Sequence, residues 1–162
     1  MTNSWTLPGF GRMYGLYRLL GMIRPDRPIP ETVTVSGLQR PVSVEWDAQA
    51  VPAIHAETLL DAVRVQGWIH GRMRGFQMDL LRRMPAGTLS ELLGPGGLPY
   101  DTFMRKLNLA RWAAASSEAW SSDVKAALNA YADGVNQAFA AGPLAPEYRF
   151  LKTRPRPWTA NT

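Results

Sequence analysis

The sequence predicts an α+β fold that is mostly helical. Two observations indicate this class: short β-rich runs before residue 57, and apolar residues at helical spacing from Thr58 to Gly142. The chain has 162 residues, 46% of them hydrophobic, which suits one domain with its own core. It has no cysteine and two histidines, so disulfides and thiol nucleophiles are excluded and no metal site is predicted.

Strands are expected between residues 32 and 56. Residues 32–35 alternate between threonine and valine, and Val42, Val44 and Trp46 lie on one face of a second run. A third extended piece covers residues 51–56. Its Pro52 has no amide hydrogen, which restricts it to a strand start or an edge.

Three helices are expected after Thr58, before the clearest one. The first carries an apolar stripe through Ile69 and Met73. Thr88 and Glu91 have the spacing of a capping box for the second helix, which Gly94 is expected to end. Asp101 is expected to cap the helix that follows.

The clearest helix is expected to begin at Ser121 or Ser122 and to end before Gly142. Its apolar stripe consists of Val124, Leu128, Tyr131, Val135 and Phe139. We expect this stripe to be exposed when the chain is isolated.

The formal charge of +5 comes from alternating acidic and basic blocks. Residues 41–63 carry four acids and no base, whereas residues 64–83 carry five arginines against Asp79. Nucleic-acid binding proteins usually gather their bases on one face with aromatic residues between them. No nucleic-acid partner is therefore predicted.

Residues 1–30 are expected to form a separate arm, with a short amphipathic helix that prolines 25, 28 and 30 bring to an end. Packing of this arm against a partner segment is favoured over contact of residues 1–24 with a membrane. The chain has no apolar run of the ~20 residues that a transmembrane helix needs, and the apolar core of a signal peptide is too short.

The residues alone predict no catalytic constellation. There is no Gly-x-Ser-x-Gly, and the glycine-rich residues 94–97 are interpreted as a plain turn. His55, near Glu57, could act as a general base, but a hydrogen-bonded structural histidine is favoured. His70 is expected to be half-exposed on a helix.

Two aspartates have helical partners in the sequence. Asp79 has the spacing of a surface ion pair with Arg82 or Arg83, worth a few tenths of a kcal/mol. Asp133 is expected to pair with Gln137 or to cap a neighbouring loop.

The order of short blocks along the chain carries more information than any one of them. Two are specific when found together: Phe-Gln-Met-Asp-Leu-Leu-Arg-Arg at residues 76–83 and Tyr-Ala-Asp-Gly-Val-Asn at residues 131–136. Pro-Trp-Thr follows at residues 157–159. This succession resembles the N-terminal α portion of the penicillin acylase family of N-terminal nucleophile hydrolases, over residues 35–162.

The resemblance implies that residues 31–162 are an α-chain-like segment of a four-layer αββα sandwich, incomplete without the β chain of the same precursor. It implies an amidohydrolase that cleaves small N-acyl compounds: a β-lactam, an acyl-homoserine lactone or an acylated peptide. The acyl group passes to the N-terminal serine of the β chain, whose own α-amino group is the base.

In the family this serine follows a glycine, and the chain contains no Gly-Ser dipeptide. No catalytic residue is therefore assigned in this chain, which we expect to be inactive alone. Substrate-binding residues are unknown and no metal ligand is assigned, although the family implies calcium in the complete enzyme and a periplasmic or exported location. The alternative is a truncated, non-catalytic interaction module with a peripheral membrane-binding arm.

The sequence departs from the family pattern at five positions, which are Trp46, Ala50, Ala53, Met73 and Gly75. Gly75 lies within a predicted helix, where glycine costs about 1 kcal/mol relative to alanine. We therefore expect a packing reason for Gly75.

Overall fold

The computed structural model describes residues 32–161, so the predicted arm of residues 1–30 lies outside the described part. The prediction of a mostly helical α+β fold is confirmed. The strands are β1 (Ser43–Trp46) and β2 (Pro52–His55). The helices are α1 (Leu59–Ala86), α2 (Ser90–Leu93), α3 (Leu98–Leu107), α4 (Leu109–Glu118), α5 (Ser122–Ala140) and α6 (Pro146–Phe150), with a 3-10 turn at Gly94–Gly97 between α2 and α3.

The strands form an antiparallel hairpin in which Ser43 lies opposite His55 and Trp46 opposite Pro52. Pro52 is the first residue of β2, as predicted. The Asp47 carboxylate closes the turn by accepting hydrogen bonds from the amides of Gln49 and Val51, at 2.9 and 2.8 Å.

The predicted strand at residues 32–35 does not form. The chain next to it makes its bonds with a side chain on α5 instead of with a neighbouring strand. The Ser36 amide donates to Gln137 Oε1 at 2.6 Å, and the Ser36 carbonyl accepts from Gln137 Nε2 at 3.0 Å. The alternation of threonine and valine was therefore misleading, because no partner strand is available at this position.

The helical pattern predicted after Thr58 and the predicted start at Ser121 or Ser122 agree with the structure, in which Thr58 and Ser121 are the N-caps of α1 and α5. The Thr58 hydroxyl accepts from the Asp61 amide at 3.1 Å, and the Ser121 hydroxyl accepts from the Val124 amide at 3.4 Å. Gly87, in the left-handed conformation at φ 61°, ends α1. Among the described helices, none combines the length and the apolar character that a bilayer span requires.

The two long helices pack with their backbones in direct contact. A Cβ atom added to Gly67 of α1 would lie 2.2 Å from the Tyr131 carbonyl oxygen, and one added to Gly134 of α5 would lie 2.0 Å from the Arg64 carbonyl oxygen. Val135 is completely buried in this contact region, whereas Val124 at the start of α5 is exposed. The predicted α5 stripe is thus covered along much of its length by α1.

The packing reason expected for Gly75 is present in the structure. An added Cβ atom would lie 2.6 Å from the edge of the Phe139 ring, so the α5 side chain occupies the space that a larger residue would need. Met73, another departure on α1, is 47% exposed and lies outside this contact.

The predicted capping box and the predicted Asp101 cap are both wrong. Helix α2 begins at Ser90, one residue later than expected, and Glu91 pairs with arginines instead of capping. Asp101 lies inside the first turn of α3, where its carboxylate accepts from the amides of Leu89 and Ser90, both at 2.8 Å. It therefore caps α2 from twelve residues downstream, a contact that local spacing cannot indicate. Gly94 does end α2, as predicted.

Candidate functional site

The most elaborate arrangement of polar groups in the described part is a network of five charged side chains, here called the anchor cluster. Its members are Asp79, Arg82 and Arg83 of α1, Glu91 of α2, and Arg156. Asp79 has no exposed side-chain surface and Arg83 is buried. The expectation of a surface ion pair at Asp79 is therefore wrong.

The geometry of the anchor cluster pairs each carboxylate oxygen with an arginine. Asp79 Oδ1 lies 2.7 Å from Arg82 Nε and Asp79 Oδ2 lies 3.2 Å from Arg83 Nε. Glu91 continues the network, with its two oxygens 2.6 Å from Arg83 Nη1 and 2.7 Å from Arg156 Nη2. Helical spacing of three and four residues places both arginines beside Asp79. A charge this deeply buried is tolerated only when it is fully paired.

Two aromatic side chains complete the surroundings of the cluster. Tyr148 is buried, with its ring edge-on to Phe76 at 5.2 Å, and its hydroxyl donates to the Gly75 carbonyl at 3.3 Å. Burial raises the pKa of Tyr148, and the negative charge of Asp79 raises it further, so the phenol remains a neutral donor. The guanidinium carbon of Arg82 lies 4.6 Å from the centre of the Trp158 ring, in cation–π contact.

Arg82 and Asn136 together hold the irregular segment 156–158, and we call these two side chains the tail clamp. Arg82 Nη2 donates to the Arg156 carbonyl at 2.7 Å and Arg82 Nη1 to the Pro157 carbonyl at 3.0 Å. Asn136 accepts from the Trp158 amide at 2.7 Å and donates to the Trp158 carbonyl at 2.9 Å. The tail clamp thus fixes four backbone groups of three successive residues from two different helices.

The other residues singled out in the sequence have partners of their own, away from those contacts. His55 is exposed, and its Nε2 lies 3.8 Å from a Glu45 carboxylate oxygen, which is too far for the hydrogen bond favoured from the sequence, so that expectation is wrong. His70 Nδ1 lies 2.9 Å from the Tyr131 hydroxyl, whose pKa is raised by burial. Asp133 pairs with Arg64 at 2.9 Å and not with Gln137, which is engaged by Ser36.

Three buried aspartates stand out among the described residues, and each holds other parts of the chain. Asp79 pairs with arginines, and Asp101 caps α2. Asp61 accepts from the amides of Gln39 and Arg40 at 2.9 and 3.2 Å, and the Gln39 bond contributes most to lowering the Asp61 pKa, against the opposing effect of burial. All three carboxylates are therefore committed to structural bonds.

Within residues 32–161, no three metal-binding side chains converge on one point. No chemical step is assigned to a metal here. Sequence reasoning from spacing missed Asn136, Tyr148 and Trp158 as anchors. For Asn136 and Trp158 the available signal was their place in the family blocks, since the blocks at residues 76–83, 131–136 and 157–159 meet at the tail clamp.

Comparison with known proteins agrees with this convergence. The sequence profile of the Penicillin amidase family matches residues 41–162. The chain is 36% identical over 132 residues to the penicillin acylase 2 proenzyme of Pseudomonas sp. (strain SE83), a match that covers 81% of this chain and 17% of that protein. It is 36% identical over 102 residues to the acyl-homoserine lactone acylase QuiP of Pseudomonas aeruginosa, covering 63% of this chain and 12% of that protein.

A solved structure shows the same relation in three dimensions. The thermostable penicillin G acylase from Alcaligenes faecalis superposes with a TM-score of 0.62 at 29% identity, covering 75% of this chain and 67% of that chain. The chain spans less than a fifth of the length of the two Pseudomonas relatives. With a family profile matching three quarters of its residues, the chain belongs to the penicillin amidase family.

Proposed function

We propose that this chain is the N-terminal α segment of an amidohydrolase that cleaves the amide bond of small N-acyl compounds. The nucleophile is an N-terminal serine outside these 162 residues, on a β chain released from the same precursor. Its hydroxyl oxygen attacks the amide carbonyl while its α-amino group takes the proton, and the amine then leaves. Water releases the acyl group from the serine and restores the free hydroxyl.

The observation that carries this proposal is the meeting of three family blocks at the tail clamp. The side chains of these blocks make structural contacts: Asp79 is neutralised by arginines, and Asn136 is bonded at both ends of its amide. Side chains bonded in this way fix the course of the backbone, and they are not free to exchange protons with a substrate. The described part therefore has the character of a scaffold for chemistry carried elsewhere in the protein.

We infer the substrate class from the names of two relatives, both of which are called acylases. One relative is named for penicillin and another for acyl-homoserine lactones. In both compounds an amide bond joins an acyl group to the amino group of a small ring. We propose an N-acylated amine of this kind as the substrate.

The test begins with the reading frame downstream of codon 162. We expect it to encode a Gly-Ser junction, and we expect the protein made from the complete frame to appear by intact mass as two chains. The processed protein should release primary amine from penicillin G or from an N-acyl-homoserine lactone. Replacement of the junction serine by alanine should leave one chain without activity.

The 162-residue chain alone serves as the matched control and should hydrolyse neither compound. Two results would contradict the proposal: a complete product that stays uncleaved and inactive on both substrates, or hydrolysis by residues 1–162 alone.

A further inference from the structure

The backbone of segment 156–158 makes more hydrogen bonds to side chains than is usual for an exposed irregular segment. It belongs to no helix or strand, and Arg156 and Pro157 are exposed. Exposed irregular segments commonly leave some of their backbone groups to water. Here the carbonyls of all three residues and the Trp158 amide are bonded to side chains at 2.7–3.0 Å.

The two clamping side chains are themselves fixed. Arg82 is held at Nε by the buried Asp79 and covered on one face by Trp158, so its fork has little freedom to turn. Asn136 follows the fully buried Val135 on α5 and is part-buried itself. Because α1 and α5 touch through their backbones at Gly67 and Gly134, the tail clamp ties segment 156–158 to one rigid helix pair.

We infer that the tail clamp sets the direction in which the polypeptide continues beyond Trp158, so that Arg82 and Asn136 are positioning residues for maturation of the precursor. This inference rests on the proposed function, because it is the proposed β chain and its junction that have to be brought into place. The clamp itself touches no reacting atom. Its effect on maturation is transmitted by the backbone conformation that it imposes on residues 156–158.

The test uses the protein produced from the complete reading frame and two conservative substitutions. Asn136→Asp keeps the size and the acceptor for the Trp158 amide but replaces the donor by a carboxylate oxygen that faces the Trp158 carbonyl. Arg82→Lys keeps a positive charge beside Asp79 but loses the fork that reaches two carbonyls. The matched controls are Asn129→Asp, exposed on α5, and Arg72→Lys, which contacts a carbonyl in another loop, at Pro143.

Three measurements are made on each variant: the rate of precursor cleavage, the melting temperature, and hydrogen exchange of the peptide covering residues 156–158. We expect Asn136→Asp and Arg82→Lys to cleave at least tenfold more slowly at a temperature where both are fully folded. Faster exchange should be confined to that peptide, and both control variants should cleave at the wild-type rate.

A clamp that merely stabilises the fold would leave cleavage unchanged at such a temperature. Wild-type rates in the two clamp variants, together with lost protection at residues 156–158, would therefore overturn this inference alone. A wild-type precursor that never cleaves itself would instead remove the proposed function, and this inference with it.

Discussion

Ala50 is a residue whose backbone conformation conflicts with its side chain. It lies in the hairpin turn at φ 60°, where the family pattern has glycine, and its Cβ atom disfavours this left-handed conformation by roughly 1–2 kcal/mol. We expect Ala50→Gly to stabilise the chain by about 0.5–1 kcal/mol, since added freedom in the unfolded state offsets part of the gain.

Urea unfolding of the 162-residue chain measures this effect. Ala48→Gly, in the same turn but outside the left-handed region, is the control and should lower stability slightly. A shift of both variants in the same direction would argue against strain at Ala50.

Asp101 makes stability depend on pH. Burial opposes its charged form, but the hydrogen bonds from the Ser90 hydroxyl and from the amides of Ser90 and Leu89 outweigh burial and lower its pKa. A carboxylate with a lowered folded pKa stabilises the fold above its unfolded pKa of about 4, and this contribution is lost as pH falls through the folded pKa.

We therefore expect Asp101→Asn to be less stable than wild type at pH 7, with a gap that narrows as pH falls below about 4. Urea midpoints between pH 2.5 and 7 measure the gap. Glu118→Gln, exposed at the end of α4, is the control and should differ little from wild type throughout. A gap at Asp101 that stays constant down to pH 2.5 would show that its charge is not involved.

At the scale of elements, the contact between α1 and α5 depends on two glycines. Gly134→Ala would place a Cβ atom 2.0 Å from the Arg64 carbonyl, so the helices must separate along a buried interface. We expect a loss of about 3 kcal/mol or more in the free energy of unfolding. Gly96→Ala, where an added Cβ atom meets nothing within 4 Å, should change it by less than about 0.5 kcal/mol. Equal losses in the two variants would contradict this packing.

The anchor cluster joins α1, α2 and segment 156–158 through Asp79. Asp79→Asn leaves Arg82 and Arg83 without their shared countercharge, and breaking one partner of a buried pair costs about 3–5 kcal/mol. Asp133→Asn, in a pair whose carboxylate is mostly exposed, should cost about 1 kcal/mol or less. Chemical unfolding compares the two, and a similar cost for both would mean that the cluster is effectively solvated.

At the scale of the whole molecule, exposed apolar side chains concentrate on α3 and α4. Phe103 is 58% exposed and Trp112 is 70% exposed, and Leu98, Leu107 and Leu109 are exposed nearby in the sequence. The sequence predicts an exposed stripe on α5 instead, but α1 covers much of that stripe. Among the described elements, α3 and α4 therefore expose several of the large apolar side chains.

The 162-residue chain should accordingly bind the dye ANS. Phe103→Ser combined with Trp112→Ser should reduce the bound-dye fluorescence by at least half while the far-ultraviolet circular dichroism is retained. Leu59→Ser, which removes an exposed leucine from the start of α1, is the control and should reduce the fluorescence much less. An unchanged signal in the double variant would place the dye elsewhere.

The features that sequence patterns predicted correctly depend on neighbours along the chain. Ser121 starts α5 because its hydroxyl accepts from an amide only three residues away. Pro52 begins a strand because its own ring removes the amide hydrogen. The features that were missed depend on distant residues. Asp79 is buried in part because Tyr148 and segment 156–158 fold back over α1, and Asp101 caps a helix twelve residues upstream. Spacing along one helix carries no information about such contacts.

The pairing of Gly67 with the backbone of α5 also has a consequence for synthesis of the chain. Gly67 and Gly134 are 67 positions apart, so α1 leaves the ribosome well before its partner exists. At the ~5–20 residues per second of translation, the delay is about 3–13 s. During that interval the face of α1 that contains Gly67 lacks the α5 backbone that covers it in the folded chain.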